Sequence, residues 1–216
     1  MLTYSKKALI LSIQIVTGSF KTADDVRFSN CVNNCGLGGC VPSDTAAGDC
    51  RRGSAMDNRT DKDNYYLDIA DTVSERATCL RRRYGAIIVR NDEIISTGYN
   101  GAPRGRQNCT DLGRCTREEL RIPRGERYEL CRSVHAEANA IISASRRDML
   151  DATLYLSGRD GATGEILNDT TSCSMCRRMI INAGITRVVC RTGSAAYTVT
   201  RVQSWIVQDD SLPLRV

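Results

Sequence analysis

Val134-His135-Ala136-Glu137-Ala138, and beyond it Ser172-Cys173-Ser174-Met175-Cys176, are the segments from which the fold of this chain is best approached. His135 is the only histidine among 216 residues. A His-x-Glu followed by a Cys-x-x-Cys offers three metal ligands and one carboxylate that need not ligate. Catalytic zinc takes three protein ligands and keeps a fourth position open. Cys173 and Cys176, spaced i,i+3 at the start of a helical pattern, bring both sulfurs to one helix end. The free N–H groups and the helix dipole there favour thiolates. His135 also stands at a helix start, so two helix N-termini would converge on one ion. Glu137 is then placed to carry protons. Taken singly, each feature has a plainer meaning: a hydrogen-bonded histidine, a redox or structural Cys-x-x-Cys, a glutamate matched to a helix dipole. Their combination, with one strand between them, points to a catalytic metal centre with His135, Cys173 and Cys176 as ligands.

Working outward, the pattern predicts a helix over 61–78 with an apolar stripe of Tyr65, Leu67, Ile69, Ala70, Val73 and Ala77. Gly85 to Arg90 and Glu93 to Tyr99 form two short β-branched runs around Asn91-Asp92, a hairpin signature. A long polar connection rich in Pro and Gly follows. A connection of that length in a compact domain is usually functional or tied down. A helix over about 135–145, a strand over 152–156, a helix over 173–183 stopped by Gly184 and a strand over 187–191 complete the series. Val199 to Val207, with Trp205, suits either a strand or a helix. This order predicts a three-layer α/β/α sandwich, a mixed sheet with helices on both faces.

The composition, 41% hydrophobic and 25% charged, fits a globular chain, and no apolar run is long enough to span a bilayer. A net charge of +5, mostly from arginine, suits a phosphate-bearing small molecule and does not demand nucleic acid. Eleven cysteines would suggest disulfides with one thiol left over in a secreted chain and metal sites in a cytosolic one; the His-x-Glu and Cys-x-x-Cys pair favours the second, because a zinc ligand is a free thiolate, so the expected location is cytoplasmic. Residues 1–55 differ from the remainder. A basic start and short apolar run imitate a signal peptide without a convincing cleavage site. Cys31, Cys35, Cys40 and Cys50 match no strong zinc template. The segment is expected to be a poorly ordered extension, with the catalytic domain at 56–216 and Met56 as an alternative natural start.

The chain resembles the deoxycytidylate deaminases of the cytidine deaminase superfamily over about residues 65–191. The resemblance rests on Cys79-Leu80-Arg81-Arg82-Arg83-Tyr84-Gly85-Ala86, on Gly98-Tyr99-Asn100-Gly101-Ala102-Pro103, on Cys131 to Glu137 and on Cys173 to Gly184. It implies a cytidine-deaminase-like fold. It further implies hydrolysis of dCMP to dUMP and ammonia by a zinc-activated water, with Glu137 as acid/base, supplying dUMP for thymidylate synthesis. Asn100 matches the residue that hydrogen-bonds the nucleoside; a turn asparagine with positive φ is the plainer alternative. Arg104 and Arg106 are candidates for phosphate contact, in a loop that in regulated members also meets an effector such as dCTP or dTTP. One departure is that Ser172 stands where the family usually has proline; another is a short insertion over 158–171.

Cys79, Cys109, Cys115 and Cys131 remain as a second group. By the resemblance, Cys79 and Cys109 fall where some relatives place structural zinc ligands; four thiolates would close a tetrahedral site, and the alternative is four reduced, partly buried thiols. The family usually assembles as homo-oligomers, so a hexamer or dimer is expected. Competing assignments are deamination of another free base or nucleoside, such as cytidine or guanine, and a nucleic-acid-associated or competence-related role. Aromatic content of 5% offers few stacking surfaces for the last.

Overall fold

The computed structural model describes residues 59–208, apart from residue 124. The expectations for residues 1–55 and for a start at Met56 lie outside the described residues. The elements are α1 (Lys62–Ser74), β1 (Arg82–Arg90), β2 (Glu93–Tyr99), the short helices α2 (Cys109–Leu112) and α3 (Thr116–Glu119), a 3-10 turn (Tyr128–Leu130), α4 (Ala136–Ile142), α5 (Arg146–Met149), β3 (Thr153–Asp160), α6 (Ser174–Ala183), β4 (Arg187–Arg191), β5 (Tyr197–Arg201) and α7 (Val202–Val207). The sheet order is β2-β1-β3-β4-β5. Only β3 and β4 pair in parallel, across the α6 crossover; the other neighbours are antiparallel. Among the described residues, no helix is long and apolar enough to cross a membrane.

The sheet is buried on both faces, which is why its central strands are apolar at successive positions rather than alternately. On one face Ala86, Ile88, Leu154, Leu156 and Val188 pack with Ala136, Ala140, Ile180, Ala183 and Val202 from the α4, α6 and α7 side. On the other, Ile87, Val89, Tyr155 and Val189 meet Tyr66, Leu67 and Ala70 of α1. Successive residues of β1 thus serve opposite cores, as the two-residue period of a strand requires. This is the three-layer α/β/α arrangement that the element order predicts. Asn91 and Asp92 both take positive φ, 52° and 64°, the twist a two-residue hairpin needs.

Several boundaries differ from the sequence reading. Helix α1 ends at Ser74, not at 78. The N–H groups of Glu75, Arg76 and Ala77 turn to carbonyls three residues back, and Thr78 N–H leaves to donate to Asn100 O. Its buried stripe is Tyr66, Leu67, Ala70 and Ser74, while Tyr65 faces outward. Strand β1 begins at Arg82 and β3 runs on to Asp160, because their register pairs Arg82 with Asp160. The first part of the presumed insertion is therefore sheet. The ambiguous C-terminal segment divides into strand β5 and helix α7.

Asp63 at the start of α1 accepts from both terminal nitrogens of Arg187 in β4 (2.9 and 2.6 Å) and from the Tyr155 hydroxyl in β3 (2.9 Å). The Arg187 guanidinium, chiefly, holds the Asp63 carboxyl below its usual range. A depressed folded pKa stabilises the fold above the unfolded value and loses that contribution as pH falls through the folded one. Asp63→Asn is expected to lower unfolding free energy at pH 7 by about 1–2 kcal/mol. Urea titrations should show that difference shrinking below about pH 4.

Candidate active site

The carboxyl ends of β2 and β3 and the start of β1 share one edge of the sheet, since β1 is antiparallel to both. Helices α4 and α6 begin at this edge. Helix α4 is drawn there by three anchors. The Gly101–Val134 bridge ties its approach to the end of β2 (2.8 and 3.2 Å). Asn139 Nδ2 donates to Tyr99 O at 2.7 Å. Ser96 Oγ donates to Ala140 O at 2.8 Å. Gly98 of β2 lies against the backbone of Ala136, Asn139 and Ala140, and a Cβ there would overlap it. His135 is the N-cap of α4 and Cys173 the N-cap of α6, with Cys176 buried in the first turn of α6. Both residues stand at the helix starts that the sequence predicts, as caps one position before the first helical residue.

Cys173 Sγ lies 3.5 Å from His135 Nδ1, and Cys176 Sγ lies 3.3 Å from the same atom. Among the described residues, these three form the one group of His, Cys or acidic side chains whose candidate ligand atoms all fall within 4.8 Å of one another. Zinc bonds of about 2.0 Å to nitrogen and 2.3 Å to sulfur, meeting at a tetrahedral angle, span roughly 3.5 Å. The donor set therefore fits zinc in both chemistry and spacing. A hydrogen bond from the Cys176 side chain, chiefly, brings the Cys173 thiol down to about 4, while the same contact and burial push the Cys176 thiol up. The pair thus holds one thiolate readily, and a cation would stabilise the second.

Glu137 is buried in the first turn of α4, and burial raises its carboxyl. Glu137, His135 and Cys173 line a cavity of about 520 Å³, within the usual range for small-molecule sites, with Cys176 buried behind them. Tyr128 meets the His135 ring edge to face at 4.9 Å, and Arg117 stacks on Tyr128 at 4.8 Å. Arg117 is itself buried, its guanidinium donating to the carbonyls of Pro123, Glu126 and Arg127. One cation thus folds the long polar connection over the histidine. Neither Arg117 nor Tyr128 was marked by any sequence pattern, because the connection has no periodicity.

Asn100 also lines the cavity. Its Oδ1 accepts from Tyr84 N–H at 2.7 Å and its Nδ2 donates to Arg82 O at 3.0 Å. Its φ is not positive, so the turn alternative does not apply. Arg104 and Arg106 are exposed and do not line the cavity, which instead receives Arg81, Arg82, Arg117 and Arg177. The run Arg81-Arg82-Arg83 at a strand start was the available signal for the first two. Cys79, Cys115 and Cys131 also line the cavity, and Cys109 is buried. Burial, then the neighbouring thiols, raise Cys109. The four sulfurs come from four separate short segments and do not approach one another as closely as the His135 group. Cys190 is buried in β4, and burial pushes its thiol up to about 12.

Residues 60–192 match the family model described as "Cytidine and deoxycytidylate deaminase zinc-binding region". The chain belongs to this deaminase family. It is 35% identical over 136 residues to a deoxycytidylate deaminase of Mycobacterium phage D29, covering 61% of this chain and 95% of that protein. It is 35% identical over 130 residues to the deoxycytidylate deaminase of Schizosaccharomyces pombe, covering 60% of this chain but 37% of that one. ComE operon protein 2 of Bacillus subtilis is 32% identical over 124 residues, covering 57% of this chain and 56% of that protein. The chain thus spans nearly the whole phage relative but just over a third of the yeast one. Because the deaminase helix α4 seats directly on Gly98, Gly98→Ala is expected to destabilise the fold by about 1–3 kcal/mol and to weaken zinc binding. Urea unfolding with zinc titration against a chelator measures both effects.

Proposed function

We propose that this chain deaminates dCMP hydrolytically to dUMP and ammonia, supplying dUMP for thymidylate synthesis. The observation that carries the reading is a buried carboxylate, Glu137, beside the His135–Cys173–Cys176 donor set in a nucleotide-sized cavity. The phage D29 relative, matched over nearly its full length and named a deoxycytidylate deaminase, supports the choice of substrate.

His135, Cys173 and Cys176 would hold the zinc, which when bound would supply the Lewis acidity for ionising water near neutral pH. Glu137 takes a proton from the attacking water as its oxygen joins C4 of the cytosine. Glu137 passes that proton to N3, then takes the remaining proton from the new C4 hydroxyl and gives it to the amino group. The C4–N4 bond then breaks, ammonia leaves and the carbonyl forms. Burial, which raises the Glu137 carboxyl, suits a group that accepts and then donates a proton. Asn100 keeps one Nδ2 hydrogen and one Oδ1 lone pair after bonding β1, and these meet the nucleoside. Arg81 and Arg82, partly exposed at the cavity and paired with Glu118 (3.2 Å) and Asp169 (3.4 Å), receive the 5′-phosphate. Arg104 and Arg106, outside the cavity, remain for an effector such as dCTP or dTTP.

The thiols of Cys79, Cys109, Cys115 and Cys131 close on a second, structural zinc in this reading, stapling the polar connection. Cys79, Cys115 and Cys131 line one cavity, which supports this reading. The exposed apolar side chains Ile142, Ile206 and Val207 suit burial in a homo-oligomer, a dimer or hexamer. Free thiols throughout the described residues suit the cytoplasm.

Ammonia release across dCMP, CMP, deoxycytidine, cytidine, guanine and single-stranded DNA should rank dCMP first. Arg82→Ala should raise KM for dCMP roughly tenfold while leaving deoxycytidine little changed. Another preferred substrate would overturn the assignment. Metal analysis should give two zinc ions per chain, one after Cys79→Ser. Glu137→Gln should keep both while losing turnover by about 10²–10⁴-fold.

A further inference from the structure

The two arginines given to the 5′-phosphate are each held by a carboxylate that the proposed chemistry has not used. Arg81 Nε lies 3.2 Å from Glu118 Oε1, and Arg82 Nη1 lies 3.4 Å from Asp169 Oδ1. Both arginines line the cavity and neither carboxylate does. The Glu118 and Asp169 side chains are 59% and 45% exposed, against 33% and 30% for their partners, so the acids stand on the solvent side of the cations. They come from two separate segments. Glu118 belongs to α3, whose first turn is pinned where Cys115 O accepts from the N–H groups of Glu118 and Glu119, both at 3.0 Å. Asp169 belongs to the loop after β3. Gly161 N–H ties that loop to Arg81 O at 2.8 Å, and Leu167 N–H ties it to Gly158 O at 2.9 Å. Part-exposed ion pairs of this kind add little to stability. Their larger effect is on which anions can share the arginines.

We propose that Glu118 and Asp169 are specificity determinants that limit this site to a single phosphate. The inference rests on the deaminase reading above and on Arg81 and Arg82 as the phosphate receptor. The charge of these two arginines is matched one for one by the two carboxylates. A 5′-phosphate seated on the guanidiniums takes over part of what each acid holds. A second phosphate, joined through the first, extends from the cavity mouth toward solvent, where both acids stand. It gains no further cation from this pair and meets two like charges instead. Repulsion built against a competitor is one of the two routes to specificity, beside better contacts to the preferred ligand. The loop that carries Asp169 lies in the segment where this chain departs from the resembling family, so that half of the device is a property of this chain.

The test measures kcat/KM for dCMP and dCDP in the full zinc-loaded chain and in Asp169→Asn, Glu118→Gln and the double variant. The parent should prefer dCMP by about a hundredfold. Each single variant should raise kcat/KM for dCDP about tenfold, and the double variant further, with dCMP changed less than about threefold. Raising salt from about 0.05 M to about 0.5 M should narrow the parent's preference and leave that of the double variant unmoved. A carboxylate that merely holds its loop or its arginine would move both substrates together. Parallel changes in dCMP and dCDP, an unchanged dCDP value, or a preference indifferent to salt would each overturn the proposal. If the parent chain fails on dCMP, the function is wrong, and isothermal titration with inorganic phosphate and pyrophosphate then decides the role of the acids. Pyrophosphate alone should gain about tenfold in affinity in each variant, and an equal gain for both anions, or none, would overturn it. If one variant fails to fold, the other, on a separate segment, gives the answer.

Discussion

Everything in this molecule is arranged around one meeting point, where the imidazole of His135 comes within 3.5 Å of two sulfurs that follow it by 38 and 41 residues. Bringing an imidazole and two sulfurs so close beside a buried carboxylate is best compensated by a cation. The sheet supplies the rigidity that sustains it. Strands β2 and β3 run in the same sense and deliver α4 and α6 to one edge. The helix N-termini, with their unbonded N–H groups, then face the same point and favour negative sulfur. This is the site expected for an open α/β sheet, outside the carboxyl ends of its strands.

The inner packing explains why the arrangement tolerates little change. Helix α4 lies on β2 without an intervening side chain at Gly98, so its distance from the sheet is set by backbone contact. The Arg117–Tyr128 stack presses from the opposite side on the His135 ring. Arg177 links the Ser172 carbonyl to Trp205 in α7, so the C-terminal helix also bears on the α6 approach. Three parts of the chain without ligands of their own therefore fix the ligands' geometry.

The ligand set and most of the fold were legible because their signals are local. His-x-Glu and Cys-x-x-Cys fall at helix starts, Asn91-Asp92 dictates a hairpin, and Gly184 ends α6 with φ 83°. What escaped depends on partners distant in sequence. The extent of β3 follows from its register with β1, which periodicity within 152–160 cannot reveal. The outward turn of Tyr65 and inward turn of Tyr66 follow from how α1 sits on the sheet. The split of the last segment at Val202 follows from that residue's burial with α6 and β4, not from propensity. Arg104 and Arg106 drew attention through a loop motif, while the arginines that reach the cavity come from the strand start, the polar connection and α6.

The central claim is that His135, Cys173 and Cys176 share one zinc ion. X-ray absorption at the zinc edge, on a Cys79→Ser chain to simplify the spectrum, measures this directly. The account predicts one nitrogen ligand at about 2.0 Å, two sulfurs at about 2.3 Å and one light-atom ligand, with the sulfur count falling to one in a further Cys173→Ser variant. A shell of four sulfurs with no nitrogen, or a sulfur count indifferent to Cys173, would contradict it.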